Sequence, residues 1–212
     1  MTSRIAGHLL VECLLAQGVT HAFGVPGESY LAVLDGFHAH RERIEFVICR
    51  QEGGAAFMAE AHGKLTGRPG VCFVTRGPGA TNASIGVHTA AQDSTPMVLF
   101  VGDVASDQRD REAFQEVDYG AFFGAFGMAK RVERVDRAER LPEYVARAFA
   151  TALNGRPGPV VLVLPEDMLT QTVPDALQPQ PRWQVPAWLP DAGGLARLQA
   201  LLQAAQRPIV IA

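Results

Sequence analysis

Four short stretches of this chain carry residue types suited to chemistry, and each follows an apolar, strand-like run. "GVPGES" (Gly24 to Ser29) places a proline, a glycine and the acid Glu28 after "HAFGV". "RQEGG" places Glu52 directly after "IEFVICR". "TRGPGATN" (Thr75 to Asn82) places Arg76 among glycines after "GVCFVT", and "GDVASD" ends the run "MVLFVG". An open parallel sheet binds ligands at the carboxyl ends of its strands, so these loops share one rim. Glu52 is the sharpest feature on it. It opens a helical stretch whose side chains are nearly all tiny: Gly53, Gly54, Ala55, Ala56, Ala59, Ala61 and Gly63. A carboxylate there can exchange a proton with a bound group. The plain alternative is that it only favours the helix start through the macrodipole, an effect of about 0.3–1 kcal/mol.

Three familiar motifs fail on these loops. "GPGATN" has Asn82 where a dinucleotide fingerprint needs its third glycine. "HGKLTG" has Leu65 where a P-loop needs a hydroxyl residue, and Met58 where it needs its first glycine. A nucleophile elbow around Ser84 fails because Asn82 replaces the leading glycine. The histidines form no cluster with ligand spacing and read as surface or helix-face imidazoles. Cys13, Cys49 and Cys72 are not spaced as a metal or redox pair and read as buried, reduced thiols.

The elements that must hold the rim alternate along the chain. Residues 3–17 carry a helical apolar stripe at Ile5, Leu9, Leu10, Cys13 and Leu14, closed by Gly18. Strand-like and helix-like runs then follow in turn as far as "PVVLVLP", with residues 104–125 irregular apart from one short helix. This pattern predicts an α/β fold: a three-layer, doubly wound sheet of about six mostly parallel strands with helices on both faces. Residues 1–170 form that domain. Residues 171–190, with five prolines and little periodicity, read as a linker. Residues 191–212 read as the start of a further α/β domain, a helix and then the strand "RPIVIA". A net charge of −3 gives no basic footprint for nucleic acid or for a membrane surface. No apolar run is long enough to span a bilayer and no signal-peptide pattern is present, so the expected location is cytoplasmic.

Taken in order, "FGVPGE", "RQEGGAAFMAEAHGKLTGRPGVCFVTRGPGATN", "HTAAQDSTPMVLFVGD", "AFQE" and "GRPGPVVLVLPEDM" resemble the N-terminal pyrimidine-binding domain of thiamine-diphosphate-dependent enzymes, in the acetolactate synthase-like branch. The likeness covers about residues 3–170. It implies that Glu52 hydrogen-bonds N1′ of the cofactor's aminopyrimidine, shifting that ring toward its imino form. The exocyclic nitrogen can then take a proton from the thiazolium C2 carbon. The small-residue helix would let the cofactor and a neighbouring subunit approach its backbone. The resemblance also puts Pro26, Gly27, Thr75, Pro78, Gly79 and Asn82 around the cofactor. Glu28 and Gln115 take candidate catalytic roles, and Arg76 and Phe114 line the substrate. Arg76 stands where relatives carry serine, and either meets an anion or pairs with a nearby acid.

The resemblance implies an enzyme acting on small 2-oxo acids by C–C bond formation or decarboxylation, a transferase or lyase. Only the pyrimidine half of the cofactor belongs to this domain. The Gly-Asp-Gly…Asn mark of the diphosphate- and Mg2+-binding domain is absent from this chain, so no metal site is expected here and the chain alone is expected to be inactive. Self-association as a homodimer is expected, with a homotetramer open to a longer protein; flavin (FAD) use is not readable. The alternative is a stand-alone binding module or one subunit of a split enzyme.

Overall fold

The computed structural model describes residues 3–186 and 189–211, with the side chain of Phe126 excepted. The main sheet has six strands, all parallel, in the order β3-β2-β4-β5-β7-β6. These are β2 (His21–Gly24), β3 (Glu45–Ile48), β4 (Gly70–Thr75), β5 (Met97–Asp103), β6 (Arg131–Arg134) and β7 (Pro159–Pro165). Every residue of β5 and β7 is buried, which is why these strands read as unbroken apolar runs instead of alternating ones. The chain passes from β2 outward to β3, then returns to place β4 on the other side of β2. That reversal opens a crevice at the carboxyl ends of β2 and β4.

Helices cover both faces, as expected. One face carries α1 (Ala6–Ala16), α2 (Leu31–Ala39) and α6 (Leu141–Leu153), packed on the large side chains Phe73, Phe100 and Leu162. Phe73 and Phe100 stack with centroids 4.6 Å apart. The other face carries α3 (Glu52–Thr66), α4 (Arg76–Gln92) and α5 (Tyr119–Gly124), packed on Cys72, Val74, Leu99 and Val101. This second layer is built on small residues and lies close. A Cβ on Gly86 of α4 would stand 2.5 Å from Cβ of Ala56 on α3. A Cβ on Gly70 would stand 1.8 Å from the carbonyl oxygen of Ala59. The tiny side chains after Glu52 therefore serve contact inside this chain: Gly53, Ala55, Ala56, Ala59 and Gly63 are buried. The outer side of the same layer exposes Phe57, Met58, Leu65 and Ile85.

Three further differences stand out. The helix expected over residues 3–17 begins only at Ala6, because Ser3–Ile5 form β1. β1 pairs antiparallel with β8 (Thr172–Pro174), with Ser3 opposite Pro174 and Ile5 opposite Thr172. Between β7 and β8 lies the short α7 (Glu166–Thr170). Beyond β8 the proline-rich stretch stays against the domain as far as Trp183. Arg4 Nη2 donates to the Leu177 carbonyl at 2.6 Å, and Gln17 Nε2 donates to those of Gln180 and Pro181 at 3.2 and 3.1 Å. α8 (Ala192–Ala204) follows with no buried residue. Residues 207–211 are exposed and form no strand, since no described strand lies beside them to complete a ladder. Of the cysteines, Cys13 and Cys72 are buried, while Cys49 is half-buried and directs its thiol at Met58 Sδ, 3.6 Å away. Burial pushes the Cys13 thiol up to about 12. No helix among the described residues is long and apolar enough to cross a membrane.

Candidate functional site

Glu52 is the first residue of α3, immediately after Gln51, whose side chain caps the helix by accepting from Gly54 N at 2.9 Å. With the cap assigned to Gln51, the Glu52 carboxylate is left free to face the rim. One of its oxygens is fixed: Asn82 Nδ2 donates to Oε2 at 2.9 Å. Oε1 has no hydrogen-bond partner among the described residues. The group is half-buried in this chain. Beneath it, burial first, then the nearby Cys72 and Glu52, push the Tyr30 hydroxyl well above the ordinary tyrosine range. That hydroxyl donates to the Val25 carbonyl and so ties the loop after β2 to the rim.

A second cluster lies one helix over. Arg76 opens α4 with a left-handed backbone, φ 44°. Its guanidinium is nearly buried and spans two acids: Nη1 donates to Glu28 Oε1 at 2.9 Å and Nη2 to Glu166 Oε2 at 2.8 Å. Arg76 thus pairs with two acids of this chain. Glu28 starts a short 3-10 turn after Gly27. A Cβ on Gly27 would stand 2.4 Å from Cβ of Thr75, so glycine lets the "GVPGES" loop rest on the end of β4. Ser29 and Thr75 hydroxyls bond at 2.6 Å across the same junction. Asn82 lies six residues after Arg76 on α4, about 9 Å at 1.5 Å per residue, so one helix serves both clusters.

The structure joins Glu28, Gly27, Thr75 and Arg76 in one cluster and Glu52 with Asn82 in the other. Gln115 reaches the first through its backbone, since its carbonyl accepts from Gly77 N at 2.9 Å. Phe114 beside it is 77% exposed. Pro26 and Pro78 are exposed on the rim, and Gly79 packs against Val74. Among the described residues, no group of three or more His, Cys, Asp or Glu is arranged to hold a metal ion.

A family model described as "Thiamine pyrophosphate enzyme, N-terminal TPP binding domain" matches residues 4–122, the stretch from β1 into α5 that supplies Glu28, Glu52, Arg76 and Asn82. The chain belongs to this family. Within it, this TPP-binding domain is similar to acetolactate synthases. It is 39% identical to the acetolactate synthase of Bacillus subtilis (strain 168), over 77% of this chain and 28% of that protein. It is 40% identical to the acetolactate synthase isozyme 2 large subunit of Escherichia coli (strain K12), over 75% of this chain and 28% of that protein. It is 34% identical to the mitochondrial acetolactate synthase catalytic subunit of Aspergillus candidus, over 99% of this chain and 31% of that protein. The chain thus spans less than a third of the length of these relatives.

Two further polar groups stand on the rim: Glu166, not singled out by the sequence, and Asp103 of the "GDVASD" stretch. Glu166 is the second acid on Arg76, and its signal was its place directly after the buried strand β7. Asp103, the last residue of β5, is 3% exposed and paired with Arg134 Nη1. Burial raises its carboxyl above the ordinary range against the pull of the Val104 amide and Arg134.

Proposed function

We propose that this chain is the pyrimidine-binding part of a thiamine-diphosphate-dependent enzyme of the acetolactate synthase type, acting on 2-oxo acids. The observation that carries the reading is the Glu52 carboxylate, with one oxygen bonded to Asn82 and the other open to the rim. When bound, thiamine diphosphate supplies a carbon nucleophile for attack on a substrate carbonyl. What this chain adds is control of one proton. Asn82 donates to Glu52 Oε2, so a proton on Glu52 is held at Oε1, the oxygen available to the pyrimidine N1′. Arg76, committed to Glu28 and Glu166, acts as a positioning residue that holds the Glu28 carboxylate at the rim.

The diphosphate, its Mg2+ and any flavin fall to residues outside this chain, and the chain alone is inactive. Self-association uses the outer face of α3 and α4, where Phe57, Met58 and Ile85 are exposed. The test is Glu52→Gln in the longest native polypeptide that carries this sequence. Turnover of a 2-oxo acid should fall by about 10²–10⁴-fold, the range for losing a positioned proton donor. Turnover within a few-fold of the parent would sink the assignment.

A further inference from the structure

The rim is not the only concave site. At the opposite edge of the sheet, by the amino ends of β2 and β4, lies a cleft of about 360 Å³. Its floor is apolar, formed by Val19, Pro69, Phe149 and Leu153, and Trp183 stands along one side. Its charged lining is Arg68 and Arg182, with no aspartate or glutamate; Thr20, Thr66, His21 and His62 are among its other polar groups. Four arginines elsewhere, Arg4, Arg76, Arg134 and Arg147, each pair with two acids. The guanidiniums of Arg68 and Arg182 form no ion pair among the described residues.

The cleft is held in shape by a buried polar side chain. Gln17, 6% exposed, donates from Nε2 to the carbonyls of Gln180 and Pro181 and accepts from Trp183 N at 3.1 Å. These three bonds lay residues 180–183 across the end of α1. Arg182 then rests on Gly18, where an added Cβ would stand 3.2 Å from its Nη1. The carboxyl end of α1 favours a cation near Arg182, but it does not account for Arg68, which belongs to the turn after α3.

We propose that this cleft binds a small organic anion, a carboxylate or phosphate group carried on an apolar body. Guanidiniums match the planar, multi-oxygen geometry of such groups, and two of them line this one cleft. The floor and the Trp183 indole take the apolar part, and the volume falls within the range of small-molecule sites. The site is separate from the rim: α3 begins with Glu52 there and ends at Thr66 here, about 20 Å away at 1.5 Å per residue.

The test is NMR titration of the 212-residue chain, following the Trp183 indole N–H and the His62 amide. Benzoate and phenyl phosphate are the probes, with inorganic phosphate as the bare anion. Saturable shifts at both residues are expected from at least one organic probe, at least about tenfold weaker in R68Q and in R182Q. R111Q, an exposed arginine outside the cleft, should bind as the parent does. Comparing the two probes tells a carboxylate site from a phosphate site. Absence of saturable shifts, equal affinity in R68Q and R182Q, or inorganic phosphate binding as tightly as both organic probes would each overturn the proposal. Each variant's own amide spectrum reports that it is folded, and both target arginines are exposed.

Discussion

The close crossing of α3 and α4 allows one substitution to be tried at two glycines with opposite expected signs. In Gly86→Ala the new Cβ would meet Cβ of Ala56 at 2.5 Å, its carbonyl carbon at 2.8 Å and N of Phe57 at 3.1 Å. Carbon atoms rest about 3.5–4 Å apart, so the helices must separate by about 1 Å locally. Overpacking of this kind costs about 1–3 kcal/mol. Since two of the three obstacles are backbone atoms, the upper half of that range applies. Replacing glycine within a helix returns about 1 kcal/mol, leaving a net loss of about 1–2 kcal/mol. For a domain of this size each kcal/mol moves Tm by about 2–4 °C, so Tm should fall by about 2–8 °C. In Gly54→Ala nothing lies within 4 Å of the new methyl, and the amide that bonds Gln51 Oε1 is kept. Only the helix gain of up to about 1 kcal/mol remains, so Tm should rise by a few degrees. Thermal unfolding followed by circular dichroism, on the two variants and the parent, measures both. If Gly86→Ala melts at or above the parent, or both variants move in the same direction, the argument that small residues set the α3–α4 spacing is wrong.

Two other outcomes follow from the rim. Glu116 accepts the amides of Asp110 and Ala113; these bonds hold its carboxyl below the ordinary value of 4.5. A depressed carboxyl stabilises the fold above its unfolded value and loses that contribution as pH falls through the folded one. Hydrogen-exchange protection factors of those two amides should therefore drop as pH falls below 4.5, and Glu116→Gln should remove the pH dependence; unchanged protection in acid would contradict the assignment. Arg76 offers a comparison of two ion pairs on one guanidinium. Glu166 is 38% exposed and Glu28 70%, so double-mutant cycles in urea should give the Glu166 pair the larger coupling and the Glu28 pair under about 1 kcal/mol; the reverse order would show that exposure does not govern the cluster.

The parts of this molecule that could be read in advance are those whose cause is local. β4, β5 and β7 announce themselves as apolar runs because both faces of each strand are covered. α6 shows its stripe because Leu141, Val145, Ala148, Phe149 and Ala152 face a single layer. Glu52 stands out because its motif is contiguous. What was hidden depends on residues far apart along the chain. β1 has three residues, and Ile5 fits the stripe of the following helix, so nothing local separates it from α1; only Thr172–Pro174 defines it as a strand. The proline-rich stretch lacks periodicity, yet its carbonyls are satisfied by Arg4 and Gln17 from the other end of the domain. The charge of Arg76 was plain, but its partners lie 48 residues before it and 90 after it.

The tight seams at Gly27, Gly70 and Gly86 bear on how this domain tolerates change. A library of variants scored only for lost function would mark these three positions as strongly as Glu52, although a glycine has no side chain to act on a proton. Scoring abundance of folded protein beside function separates them: spacer glycines fail both measures, whereas a rim acid fails only the second. The same seams fix the distance between the layers.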